Sequence, residues 1–190
     1  MKYTDLAACA RGNIGPYCKA CPVCDGRGCK NTVPGPGAKG SGTVAMRNYS
    51  AWQGILPNMD TLHQYFEADS SCAVLGRELS LPVMIAPVGD VQRHYGEKYD
   101  TVGYNECVLR AAEKAGTLAW TGDGLDGLIM SESCDLISRL GGAGVVTVKP
   151  WDAKTLDEKL GQALVVRPAA VAMDIDAAGL PFLKGQNPPA

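Results

Sequence analysis

Four short apolar runs in the C-terminal two-thirds of this 190-residue chain limit its possible folds more than any other feature. They are Val83-Met84-Ile85-Ala86-Pro87, Thr117-Leu118-Ala119-Trp120-Thr121, Val145-Val146-Thr147-Val148 and Ala170-Val171-Ala172-Met173-Asp174-Ile175-Asp176. Each ends in polar or glycine residues, and each interval has room for a helix. A buried parallel strand reads as a continuous apolar run because helices cover it. The pattern therefore predicts successive β/α units whose strands, near 83–87, 117–121, 145–148 and 170–175, lie parallel in sequential order. Right-handed crossovers would put the intervening helices on one outer face. Ligands in such folds gather at the C-terminal ends of the strands, so a site is expected there.

Composition narrows the function classes. The apolar fraction of 46% suits a globular chain rather than a disordered one. A net charge of −2 with both signs mixed gives no footprint for nucleic acid or a membrane surface. No run reaches the roughly 18 apolar residues of a spanning helix, and Met1-Lys2-Tyr3-Thr4-Asp5 leads into no signal-type apolar region. A cytoplasmic location is expected.

Between the runs the helical signals are clear. Thr4 to Arg11 is expected to be a helix with Thr4 as N-cap and Gly12 as its stop, and Thr43 to Ile55 another, ending before Pro57. Residues 72–81 read as a hairpin turning near Gly76, leading into the first apolar run. Asn105 to Ala115 carries Val108, Leu109, Ala112 and Ala115 on one stripe. Further helices are expected over Ser133 to Leu140, stopped by Gly141-Gly142, and from the N-cap Asp152 through Leu164. The Gly- and Pro-rich stretch from Val33 to Gly42 lacks P-loop spacing and reads as a connector. Residues 1–70 form an N-terminal extension in this reading, and 71–190 the β/α domain.

The stretch Leu75-Gly76-Arg77-Glu78-Leu79-Ser80-Leu81-Pro82 with the run 83–87 resembles the opening of the FMN-dependent α-hydroxy acid oxidase and dehydrogenase family, the lactate-oxidising enzymes among them. Residues 105–117 resemble that family's first barrel helix and second strand. Ala172-Met173-Asp174-Ile175-Asp176 resembles its strand-four Thr-x-Asp motif, and Gly37-Ala38 with Thr43 and Asn48 its N-terminal helical region. The resemblance implies a TIM-type (β/α)8 barrel with FMN at its C-terminal mouth and a small α-hydroxy acid as substrate. A complete barrel of this type needs about 250 residues. About the first four β/α units are therefore expected here, as an N-terminal portion inactive alone and completed by a missing barrel half or by homo-oligomerisation. The departures are specific. The strand-three Gln-x-Tyr pair is missing, the equivalent stretch reading Val146-Thr147-Val148-Lys149; Asp174 replaces the strand-four threonine, and His63 and His94 match no catalytic position.

Candidate site residues follow from the strand ends. Pro87, Val88 and Gly89 follow the first run, where glycine would let backbone approach an isoalloxazine ring. Gly122 and Asp123 follow the second run; Asp123 suits either a polar flavin contact or a helix N-cap. Lys149 ends the third run, where an ammonium could meet an anion, either reduced flavin or a substrate carboxylate. Asp174 and Asp176 alternate on one strand and so point the same way. The resemblance implies that Asp174 lies at the cofactor and that Asp176 orients a catalytic histidine, with structural ion pairing as the rival account.

Eight cysteines add a second theme. Cys18, Cys21, Cys24 and Cys29 fall within twelve residues, a density that points to metal or redox chemistry in a chain without an export signal. Four thiolates could hold tetrahedral zinc, whereas the two successive x2 spacings resemble part of an iron–sulfur ligand run. Cys72, Cys107 and Cys134 are expected to be small core residues. The alternative to an enzyme is a non-catalytic metal-binding or scaffold protein on a partial barrel.

Overall fold

The structure, a computed structural model, describes residues 2–14, 18–28 and 43–175. Cys29 and Asp176 lie outside the described residues. The described residues fall into two compact units: those up to Asp69 together with His94–Lys98, and Ser70–Arg93 together with those from Tyr99 onward. Among them no helix is long and apolar enough to cross a membrane.

The first unit contains helix α1, Tyr3–Asn13, and helix α2, Val44–Gln53. Lys2, not Thr4, precedes the first turn of α1 as N-cap, and Asp5 accepts its backbone N–H at 3.4 Å. A carboxylate in the first turn also faces the positive end of the helix dipole, so Asp5 fixes the start that Thr4 was expected to fix. The Lys98 ammonium donates to Asn13 at the other end of α1.

The second unit opens with a hairpin of strands β1, Cys72–Val74, and β2, Arg77–Leu79. Its two-residue turn holds Leu75 at φ 54° and Gly76 at φ 71°, the left-handed pair that matches strand twist. A short helix α3, Val91–Tyr95, starts in this unit, and three longer ones follow: α4, Thr101–Lys114; α5, Gly127–Arg139; and α6, Ala153–Val165. Strand β3, Val145–Val148, pairs in parallel with β4, Ala170–Met173, in the register Val145↔Ala170 to Val148↔Met173.

The two earlier runs join this sheet through single bridges rather than full strands. Ile85 pairs in parallel with Ala119, and Trp120 with Val145. The Ile85 N–H donates to the Leu118 carbonyl at 3.1 Å, and the Thr121 N–H to the Val145 carbonyl at 2.9 Å. Proline explains the short pairing, because Pro82 and Pro87 have no N–H to extend a ladder. The Val83 carbonyl is instead taken by the Thr117 hydroxyl. The sequential parallel order 85, 119–120, β3, β4 is as the apolar rhythm predicts, and the described residues form no closed barrel.

All three long helices pack on one face. Val108, Leu109 and Ala112 of α4, Met130, Cys134 and Ile137 of α5 and Ala163 of α6 form a single core with Ala119, Val146 and Val148. Side chains alternate across a strand, so Val145, Thr147 and Lys149 take the opposite face. Two helices begin earlier than their apolar stripes suggest. Asp100 caps α4 by accepting from Gly103, and Asp126 caps α5 by accepting from Leu128 at 2.9 Å. Asp152 caps α6, as expected, accepting from Lys154 and Thr155 at 3.1 Å each.

The scattered thiols separate. Cys134 is buried, Cys72 is intermediate and Cys107 is exposed, so the expectation of a core role fails for Cys107. Cys107 lies between the apolar stripe residues of α4 in sequence but on the helix's outer side. Burial, assisted by the neighbouring Asp135, pushes the Cys134 thiol from 9.0 up to about 11, against a smaller opposing effect of Lys159. Burial of the neutral thiol thus supports the fold fully below pH 9 and progressively less as pH rises toward 11. At neutral pH iodoacetamide should modify the exposed Cys9 and Cys107 in the native protein and leave Cys134 unlabelled, as read by peptide mass spectrometry. Labelling of Cys134 at the rate of Cys107 would show that α5 opens freely.

Candidate functional site

The strand ends converge through backbone contact first. A Cβ on Gly122 would collide with the Val88 carbonyl and come within 2.7 Å of the Gly89 nitrogen, and one on Gly89 would collide with the Asp123 carbonyl. Residues 88–89 and 122–123 therefore touch main chain to main chain. Both glycines are needed for this mutual packing, a reason independent of any bound ring. Pro87, Val88 and Gly89 are half-buried, and Gly122 and Asp123 are buried.

Asn105 fixes the second loop. It is 1% exposed, and its carboxamide grips both sides of Gly122: Oδ1 accepts the Gly122 N–H at 3.0 Å and Nδ2 donates to the Gly122 carbonyl at 3.3 Å. The same Nδ2 donates to Ser133 Oγ at 2.9 Å, which carries the restraint to α5. Asn105 sits on the buried stripe of α4 with Val108, Leu109 and Ala112. A polar residue on an apolar stripe was the signal that could have marked it.

Asp123 is the hub. Its fully buried carboxylate accepts four N–H donors: Gly124 N at 2.8 Å and Lys159 Nζ at 2.7 Å on Oδ1, Lys149 N at 2.8 Å and Trp151 Nε1 at 2.6 Å on Oδ2. The Lys159 ammonium also lies 5.1 Å from the Trp151 ring centroid, within cation–π range. Four donors occupy the acceptor capacity of a carboxylate. The side chain thus joins the loop after the second run, the end of β3 and α6, and the helix-cap role falls to Asp126.

Lys149 and Asp174 meet across the ends of β3 and β4. Lys149 Nζ donates to Asp174 Oδ2 at 3.1 Å, with side chains 10% and 28% exposed. The Asp174 N–H extends the ladder by donating to the Val148 carbonyl at 2.8 Å. Two residues before Lys149 on the same face, the buried Thr147 hydroxyl has no hydrogen-bond partner among the described residues. Such an orphan is rare in a buried site and is available to a bound group. Lys159, Trp151, Asn105 and Thr147 were not singled out from sequence as site residues.

In the first unit, Cys18, Cys21 and Cys24 line one cavity of about 230 Å³ beside α1. Among the described residues no three His, Cys, Asp or Glu side chains are placed to hold a metal ion, so the tetrahedral zinc expected from spacing has no support there. His63 is exposed, its Nδ1 2.8 Å from the Gln64 carbonyl oxygen.

Residues 36–177 match the family model described as FMN-dependent dehydrogenase, a span that includes every described strand end above. No curated protein matches the chain.

Proposed function

This chain belongs to the FMN-dependent dehydrogenase family, a family of oxidoreductases, and from that premise we propose that its strand ends bind FMN for oxidation of the CH–OH group of a small, lactate-like α-hydroxy acid. The Thr147 hydroxyl carries the fit to a cofactor, because a buried hydroxyl with no partner among the described residues costs about 1–3 kcal/mol, which a bound group would relieve. Thr147 and the main chain of residues 87–89 would hold the flavin, which when bound accepts the hydride equivalent released by the substrate.

The protein's own residues supply position and charge. Asn105 holds Gly122, and Asp123 holds the Lys149 backbone, so both strand ends are set before any ligand arrives. Lys149 supplies a cation for the substrate carboxylate or reduced flavin, and Asp174 orients that ammonium. Lys149 makes recognition of an anion at this strand end ionic. Asp176 keeps the orienting role the resemblance implies. The scaffold alternative has no comparable support.

Titration of the whole chain with FMN, followed by flavin fluorescence, tests the reading. Micromolar binding is expected, weakened about five- to tenfold in Thr147→Val, the effect of one lost hydrogen bond. Lys149→Met should leave FMN bound but weaken competition by small hydroxy-acid anions. A chain that ignores micromolar FMN, or a Thr147→Val variant that binds as tightly as the parent, overturns the assignment.

A further inference from the structure

We propose that Cys18, Cys21 and Cys24 ligate three corners of a four-iron, four-sulfide cluster in the cavity beside α1, a second cofactor site separate from the flavin. The thiols are free, with Cys18 and Cys21 partly accessible and Cys24 exposed, and all three line the same cavity. Its volume of about 230 Å³ exceeds what one ion requires, and Leu6, Ala7 and Ala10 supply an apolar wall. Thiolates at the corners of an iron–sulfur cube stand farther apart than those around one tetrahedral metal, so a cavity of this size with three thiols in its lining suits the cluster. The spacing agrees, because two successive x2 intervals are those of bacterial cluster-binding runs.

Local backbone adds an independent observation. Ala20, between Cys18 and Cys21, takes φ 45°, a left-handed conformation uncommon for a residue with a side chain. Left-handed residues in short loops turn successive backbone N–H groups to one side, the nest geometry of anion and iron–sulfur sites. Gly28 leaves room for a thiol: a Cβ there would sit 2.9 Å from the Cys21 sulfur. Each thiol loses its proton on ligation, and the fourth iron takes a ligand from outside these three.

The test uses the whole chain, purified without oxygen and also reconstituted with ferrous iron and sulfide. Iron, zinc and acid-labile sulfide are measured, with Mössbauer spectra to give a signal that flavin cannot supply. Iron and sulfide should appear in equal amounts, about four each per chain. Cys18→Ser, Cys21→Ser and Cys24→Ser should each lose at least half of both, while Cys107→Ser keeps them. Circular dichroism of the variants separates ligand loss from misfolding, and the exposed Cys24 is the mildest of the three changes. Stoichiometric zinc in place of iron, a disulfide with no metal retained, or iron unaffected by all three substitutions overturns the site.

Discussion

Asp123→Ala should cost the second unit about 3–5 kcal/mol of stability, the usual penalty for removing one partner of a buried ion pair. The change strips Lys159 of its counter-ion and leaves Trp151 Nε1 and the N–H groups of Gly124 and Lys149 without their acceptor. Lys159→Met should cost less, because Asp123 retains three donors. The informative variant is the double replacement Asp123→Leu with Lys159→Met. Exchanging a buried pair for apolar residues is often neutral. Here it should remain clearly destabilising, since three donors would still be unpaired in the core. Urea unfolding of the parent, Asp123→Leu, Lys159→Met and their double variant, read as a double-mutant cycle, checks this. An Asp123→Ala midpoint within about 0.5 kcal/mol of the parent would mean that the network carries no stability.

The network also shows where sequence reasoning loses information. Runs such as Val145–Val148 are legible because burial on both sides leaves an unbroken apolar signature, and their parallel pairing follows. The first run was legible in position but not in extent, because its flanking prolines cut the ladder to Ile85 alone. Helix starts at Asp100 and Asp126 were missed because a cap acts through local backbone geometry rather than hydrophobic period. Asp123 and Lys159 are 36 positions apart, and nothing in a linear reading pairs a strand-end carboxylate with a lysine on a later helix. A lysine in α6 reads as solvated until the fold buries it to 7% exposure. Gly89 was legible as a site of close approach, but sequence could not say that the approaching group is the other loop.

Gly122→Ala should be the most damaging small substitution at the strand ends. The penalty is contact rather than conformation, because Gly122 is not among the glycines with positive φ. Its new methyl would strike the Val88 carbonyl, and backbone cannot swing aside as a side-chain tip can. Overpacking of this kind costs about 1–3 kcal/mol, and relief requires the 88–89 and 122–123 loops to part. Asn105 resists that movement from one side and Asp123 from the other, so strain should appear as altered loop geometry as well as lower stability. FMN affinity should therefore fall further than stability alone predicts. Gly161→Ala in α6 is the control: a Cβ there meets nothing within 4 Å, and alanine in a helix should stabilise by about 0.5–1 kcal/mol without changing FMN binding. If Gly122→Ala unfolds at the parent midpoint and binds FMN as tightly, the two loops are not in the contact that sets the site.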